Sequence, residues 1–419
     1  MAAHPKPTLR AGAAKRDITP AQDGLWLAGH GRGRRAEGVR DPLAVRTLYL
    51  SDGAVELSLS SVDLIGLRKC QVDEIRRRIG DLVPANNVLV FATHTHSAPD
   101  TIGCWGPRRP GLLPFRAGTD PGYLERVFSA AVESISEARA NAAPANASVA
   151  CAEMPADLTR NVRRARFKED NAHVLRLRSE QDKTLAVLIN YPCHPQALGP
   201  GNRRISADFV ADLHRVVEAE TGGMSIFLQQ ALGGRVTAGA QQTPGSRPSP
   251  DSTDAAARRL GEAIGTGISE ALRNGGRALP PEARLHVTRK ELEVPLRNPR
   301  LRAADGVGRA PATREELRDR ALATETTLIE LGPVRMVTVP GEALPELGFQ
   351  IQAILNCRFP FVLCLGCDEL GYILPRRYEN HPRYRYERSF SVAPDLGDIL
   401  LEKIRQMVWK DPMAGAAPR

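Results

Sequence analysis

No apolar run in the 419 residues approaches the roughly 18 consecutive positions that a membrane-spanning helix needs, and the longest, such as 88–92, are strand-sized. A helical membrane protein is excluded, and no stable membrane insertion is expected. Residues 1–12 contain no apolar core followed by a cleavage pattern, so a cytoplasmic location is expected. Cysteine is sparse: seven residues, at 70, 104, 151, 193, 357, 364 and 367, form an odd set without a repeated CxxC pair, which argues against a disulfide framework. Cys364 and Cys367 make a single CxxC around Leu365-Gly366, read as buried packing in preference to zinc or redox chemistry. Lysine is scarcer than the net charge of +9 suggests, with eight lysines against 49 arginines spread over the whole length. Arginines cluster only at 32–35, 163–166 and 376–388. A binding face would need such clusters on one helix or stripe with interleaved aromatics, so no nucleic-acid partner is expected. Solvated surface, or a pocket for an anionic substrate, accounts for the charge instead. With 42% hydrophobic and 25% charged residues the chain is neither disordered nor fibrous.

What is present is an alternation of strand-like and helix-like segments, the signature of an α/β fold with a mixed β-sheet core flanked by helices. Strands are predicted at 45–50, 55–62, 87–92, 183–191, 225–230, 284–294 and 360–365, with a hairpin from 326–331 and 334–339 around Gly332-Pro333. Helices are predicted at 69–80, 121–140, 207–221, 252–274, 313–323, 344–355 and 394–408. The Pro-, Gly-, Ser- and Gln-rich stretch 240–251 reads as a flexible loop. With no internal repeat and no convincing linker, residues 1–419 are expected to form a single domain.

The sharpest chemical feature is Thr93-His94-Thr95-His96-Ser97, directly behind an apolar strand. On an extended chain i and i+2 face the same way, so both imidazoles leave the strand end on one side, as a metal site or an acid/base pair requires. Two polar residues at a loop start are the plainer reading. His194 follows the next apolar strand in Asn190-Tyr191-Pro192-Cys193-His194-Pro195, and carboxyl ends of strands are where α/β sites assemble; alone, it reads equally well as a loop residue. His30, in Gly29-His30-Gly31, is a weaker candidate. For a carboxylate, Glu342 in Val339-Pro340-Gly341-Glu342 stands where a third strand ends and Gly341 lets the chain turn. A helix N-terminal glutamate answering the dipole is the alternative there.

These residues resemble the neutral ceramidases and their shorter relatives that share the catalytic domain. The resemblance runs in islands over nearly the whole chain: Ala11-Gly12, Asp17-Ile18-Thr19-Pro20, Gly38-Val39-Arg40-Asp41-Pro42-Leu43, Asp63, then Thr93 to Pro99 with Trp105-Gly106. Later islands are His194-Pro195, Ile205-Ser206-Ala207-Asp208-Phe209, Pro340-Gly341-Glu342, Glu369-Leu370-Gly371-Tyr372, and Tyr386-Glu387 with Ser389 and Ser391.

The resemblance implies a neutral-ceramidase-like catalytic domain with one zinc held by His94, His194, Glu342 and Tyr372. It implies hydrolysis of a C–N (amide, N-acyl) bond by metal-activated water, with His96 and Tyr386 acting on the oxyanion or leaving group and Arg163, near Asn161, completing the pocket. Two departures bear on substrate. The family's Gly-Asp-Val-Ser-Pro segment, home of an active-site serine, falls on Gly234-Arg235-Val236-Thr237-Ala238. Thr237 keeps a hydroxyl for catalysis. Arg235 becomes a candidate substrate-binding cation that favours an anionic group if it faces inward, and a solvent-facing residue otherwise. No immunoglobulin-like domain is expected after the catalytic one. A soluble acyl-amide is therefore the expected small-molecule substrate, not necessarily ceramide. An esterase or lactonase using the same zinc, and a metal-retaining binding protein without turnover, are the alternatives.

Overall fold

The computed structural model describes residues 9–107, 117–239, 250–299, 301 and 321–409. In chain order the first strands are β1 (Arg10–Asp17), β2 (Ala44–Ser51), β3 (Glu56–Val62), β4 (Val88–Ala92), β5 (Ala143–Glu153), β6 (Thr159–Asn161), β7 (Asn171–Ser179), β8 (Thr184–Tyr191), β9 (Met224–Gln229) and β10 (Val236–Ala238). Eight of them form the large sheet in the order β4-β3-β2-β1-β5-β7-β8-β9, to which β11 (Arg277–Ala278) adds beside β5. Both path ends are parallel pairs, β3 with β4 and β8 with β9, and the interior pairs are antiparallel. β6 and β10 make a separate short ribbon.

A second sheet, β12 (Leu285–Pro295), β13 (Ala321–Leu331), β14 (Val334–Val339) and β16 (Pro360–Cys364), runs in that order. The expected hairpin is its β13–β14 pair, and β16 joins it in parallel. Between them β15 (Glu342–Ala343) pairs in parallel with β17 (Tyr372–Ile373). The two sheets are stitched by Asn190 at the end of β8. Its fully buried amide donates to Val362 O and accepts from Val362 N, each at 3.1 Å, so β16 meets the large sheet in a fixed register.

Helices α1 (Lys69–Ile79), α2 (Pro121–Ala140), α3 (Phe209–Thr221) and α4 (Pro250–Arg273) pack with the large sheet, and α5 (Pro345–Leu355) and α7 (Leu396–Trp409) with the small one; α6 (Arg385–Phe390) is a short turn of helix beside β17. The start of α2 shows why the sequence folds this way. Asp120 accepts the Tyr123 N–H at 2.8 Å, Pro121 occupies the first turn, and Tyr123, Val127, Ala131, Ile135 and Ala138 present one buried stripe. No helix among the described residues is long and apolar enough to cross a membrane.

Two expectations need correction. Residues 321–323, where the pattern predicts the end of a charged helix, open β13, where eleven paired positions against β12 outweigh the local helix propensity; positions 313–320 lie outside the described residues. Pro250 and Asp251 belong to α4 instead of a loop, and 240–249 lie outside the described residues. The strands β1, β5 and β7 were not anticipated. Both CxxC cysteines are buried, as expected; Arg76 Nη2 donates to the Cys367 sulfur at 3.5 Å, and burial pushes that thiol up to about 12.

Candidate metal centre

β4, the end strand of the large sheet, is apolar on both faces and delivers Thr93 to His96 into a buried loop. The chain does not stay extended there. His94 has a left-handed φ of +68°, with its N–H bonded to Leu64 O at 2.9 Å, and His96 N–H is bonded to Pro195 O at 3.0 Å. The i, i+2 geometry is thus replaced by a turn held from two neighbouring loops. The rings still meet, with centroids 5.2 Å apart for His94–His96 and for His94–His194, and 5.6 Å for His96–His194. One nitrogen from each of these three buried histidines can be chosen so that all lie within 4.8 Å of one another.

Gln229, fully buried at the end of β9, ties the two histidine-bearing loops together. Its Nε2 donates to Thr93 O at 2.8 Å and to Cys193 O at 2.7 Å, the carbonyls immediately before His94 and His194, while its Oε1 accepts Cys193 N–H at 3.2 Å. Sequence reading missed this residue, because a lone glutamine at a strand end carries no motif.

Glu342 reaches the same place from the small sheet. Gly341 (φ +152°) turns the chain after β14, and a β-carbon on it would lie 2.5 Å from Gly371 O. The Glu342 N–H then bonds Gly371 O at 2.9 Å, and the carboxylate lies 3.5 Å from His94 Nε2 and 3.1 Å from His194 Nε2. Both imidazoles are held by their other nitrogen: His94 Nδ1 lies 2.6 Å from Ile65 O and His194 Nδ1 3.0 Å from Val236 O. A nitrogen facing a carbonyl must carry the proton, so each Nε2 of a neutral ring presents a lone pair to the carboxylate. Burial raises the Glu342 carboxyl, but attraction to His94 and His194 in their protonated form outweighs this and holds it at about 2. Burial lowers His194, against the attraction of Glu342. With both rings neutral that attraction is lost, and two lone pairs face a buried carboxylate, a repulsion that a cation between them would relieve. The donor set, imidazole nitrogen and carboxylate oxygen with carbonyls behind the imidazoles, fits a zinc-like ion.

Tyr372 stands opposite Glu342 in the β15–β17 ladder. Burial, then the Glu342 charge, raises its phenol well above the usual range. The Tyr386 ring lies 5.9 Å from that of Tyr372 and is half exposed. Both ring nitrogens of His96 are buried without a hydrogen-bond partner among the described residues, and burial followed by His30 and His94 keeps this imidazole neutral. Arg163 is set by Asn161, whose Oδ1 accepts its N–H at 2.9 Å, and its Nε donates to the fully buried Glu387 at 2.7 Å. Thr237, buried in β10, accepts from Gln196 Nε2 at 3.2 Å, a contact one step outside the histidine cluster. Arg235 is exposed at the turn before β10. His30 was undervalued: its ring lies 4.9 Å from His96, and burial, then Arg34, lowers it to about 3. Gly29 before it was the available signal for such close approach, since a β-carbon there would meet His96.

The architecture around this centre is neutral-ceramidase-like. The chain is similar to the crystal structure of neutral ceramidase from Pseudomonas aeruginosa, with a TM-score of 0.77 and 15% identity over 96% of this chain and 74% of that one. It is also similar to a ceramidase complexed with C2, with a TM-score of 0.75 and 15% identity over 98% of this chain and 77% of that one. At that identity the likeness is one of fold. No family model matches the sequence.

Proposed function

We propose that the chain is a zinc-dependent hydrolase that cleaves the C–N bond of a soluble N-acylated small molecule, with His94, His194, Glu342 and Tyr372 as metal ligands. The observation that carries this reading is the meeting of two carbonyl-anchored imidazoles with one buried carboxylate, at 3.5 and 3.1 Å. The place of Tyr372 opposite Glu342 supports including its phenol, and the ceramidase-like fold supports an acyl C–N bond among the reactions such a centre performs. Bound there, zinc supplies Lewis-acid polarisation of an acyl carbonyl and an activated water near neutral pH.

The chain's own groups do the rest. His96, neutral and unpartnered, has one ring N–H to donate and one lone pair to receive a proton. Tyr386, its phenol raised by burial and by Glu342, keeps its proton at neutral pH and donates to the developing oxyanion. Glu387 fixes the Arg163 guanidinium, and Thr237, accepting from Gln196, retains its own proton to donate.

Assaying matched acyl-amides and acyl-esters with and without chelator tests the reading. Amide cleavage that is lost on chelation and regained with zinc is expected. Cleavage of esters alone would shift the assignment to an esterase or lactonase, and chelator-insensitive turnover would overturn it.

A further inference from the structure

The segment after β9 is pinned between two walls of the centre. Gly233 N–H bonds Ala343 O, next to Glu342, at 2.8 Å, and Val236 O receives both the main-chain N–H of His194 at 2.9 Å and its Nδ1 at 3.0 Å. Arg235 lies between these anchors. Its carbonyl accepts Val162 N–H at 3.2 Å, and its φ of +62° is left-handed, as is that of Gly234 at +72°. Glycine and asparagine occupy such a turn at least cost, so an arginine there adds strain, which the backbone bonds on either side hold in place. Strained residues of this kind cluster at functional sites.

The side chain is exposed and makes no hydrogen bond or ion pair with a described residue. Arg163, across Gly234, is different, since its charge is matched by buried Glu387. The Arg235 charge is felt instead at two places flanking the histidines: it adds to the depression of His30 and opposes the rise of Tyr386. His30 borders His96, Tyr386 borders Tyr372, and Val236, the residue after Arg235, holds His194 through its carbonyl, so the charge is carried next to the histidine cluster.

We propose that Arg235 is the specificity-determining residue of this site and that it recognises a carboxylate, or another compact oxyanion, on the N-acyl substrate. The proposal rests on the hydrolytic reading above for the word substrate, but the anion site can be tested without turnover. A guanidinium fork matches the two oxygens of a carboxylate with two parallel N–H donors, whereas an amide or hydroxyl offers a single, uncharged oxygen. The adjoining metal ligands leave the acyl carbonyl and the anion as two separate points of attachment, so the amide cleaved should carry its charge on one side of the scissile bond.

Titration calorimetry with N-acetylglycine and its uncharged counterpart N-acetylglycinamide, and with the octanoyl pair, decides it. The proteins compared are the parent, Arg235→Gly, Arg235→Asn and Arg235→Lys, each zinc-loaded and chelator-treated; chelation removes direct binding of the carboxylate to the ion. The parent should prefer the anionic member by about tenfold or more in both metal states, as charge-assisted hydrogen bonds allow. The glycine and asparagine variants suit the left-handed turn, so they should stay folded and lose the preference, and lysine should keep part of it. A preference that survives in both variants, or is missing from the parent, overturns the proposal. If the preference behaves as expected but neither compound is cleaved, the anion site stands and the amide-hydrolase reading falls.

Discussion

Gly29 lies so close to His96 that a β-carbon on it would stand 2.2 Å from the imidazole Cγ and 2.7 Å from the His96 Cα. Its φ of +91° adds a second reason for glycine. Gly29→Ala should therefore move His96 while leaving His94, His194 and Glu342 in place. The variant is expected to retain zinc and a folded circular dichroism spectrum, to lose about 1–3 kcal/mol of stability from overpacking, and to lose at least about tenfold in kcat/KM. Parent-like turnover would mean that His96 is not positioned from this side.

Elemental analysis separates metal binding from chemistry. His94→Ala and Glu342→Ala should bind little zinc. His96→Ala and Tyr386→Phe should keep it and lose on the order of 10²–10³ in kcat, the usual effect of removing one oxyanion donor. Loss of zinc from His96→Ala would make it a ligand, which its place in the three-histidine cluster permits.

Gln229 joins the loops that carry His94 and His194 and touches neither ring. Gln229→Leu leaves two buried carbonyls unpaired, whereas Gln229→Glu keeps one acceptor and loses the donors. Both should weaken zinc affinity by about 10–100-fold, the range seen for supporting partners of metal ligands. A competitive chelator titration measures this directly, and affinity equal to the parent in both variants would reduce Gln229 to packing.

Asp63 is fully buried beneath the Thr93 loop, and burial raises its carboxyl from 3.8 to about 6, against Arg46 and the Ala44 N–H. The folded state thus keeps a proton that the unfolded chain has released between about pH 4 and 6. The contribution of this group to stability falls as pH rises through that window and is constant above it. Replacement by asparagine removes the titration. The stability of Asp63→Asn relative to the parent should rise by on the order of 2 kcal/mol from pH 4 to pH 7, measured by urea unfolding. Parallel pH profiles for the two proteins would refute the assignment.

Much of the fold was legible because β4, β8 and β9 are continuous apolar runs and α2 carries its cap, proline and stripe in plain view. β1 and β5 were not, because Arg10-Ala11-Gly12-Ala13-Ala14 and the alanine-rich 143–153 have little intrinsic strand preference; their neighbours β2 and β7 impose pairing that no local signal announces. At the centre, His94, His194 and Glu342 were readable as residues behind strand ends. The left-handed turn at His94, the Gln229 clasp and the capture of Arg163 by Glu387 were not, since each depends on partners more than a hundred residues away or on a backbone conformation the side chain does not advertise.

Asn190 is one fastening between the two sheets, and the centre is a second of another kind. His94 and His194 hang from the large sheet, Glu342 and Tyr372 from connections of the small one, and 148 positions separate His194 from Glu342. An ion shared by these residues closes that length of chain into a ring. In chain-entropy terms a cross-link spanning such a ring is worth roughly 4–5 kcal/mol. A metal at this point would therefore be a rivet as much as a reagent: stripping it would let the halves part at lower temperature, and proteolysis should then begin in the connections that the ion had pinned.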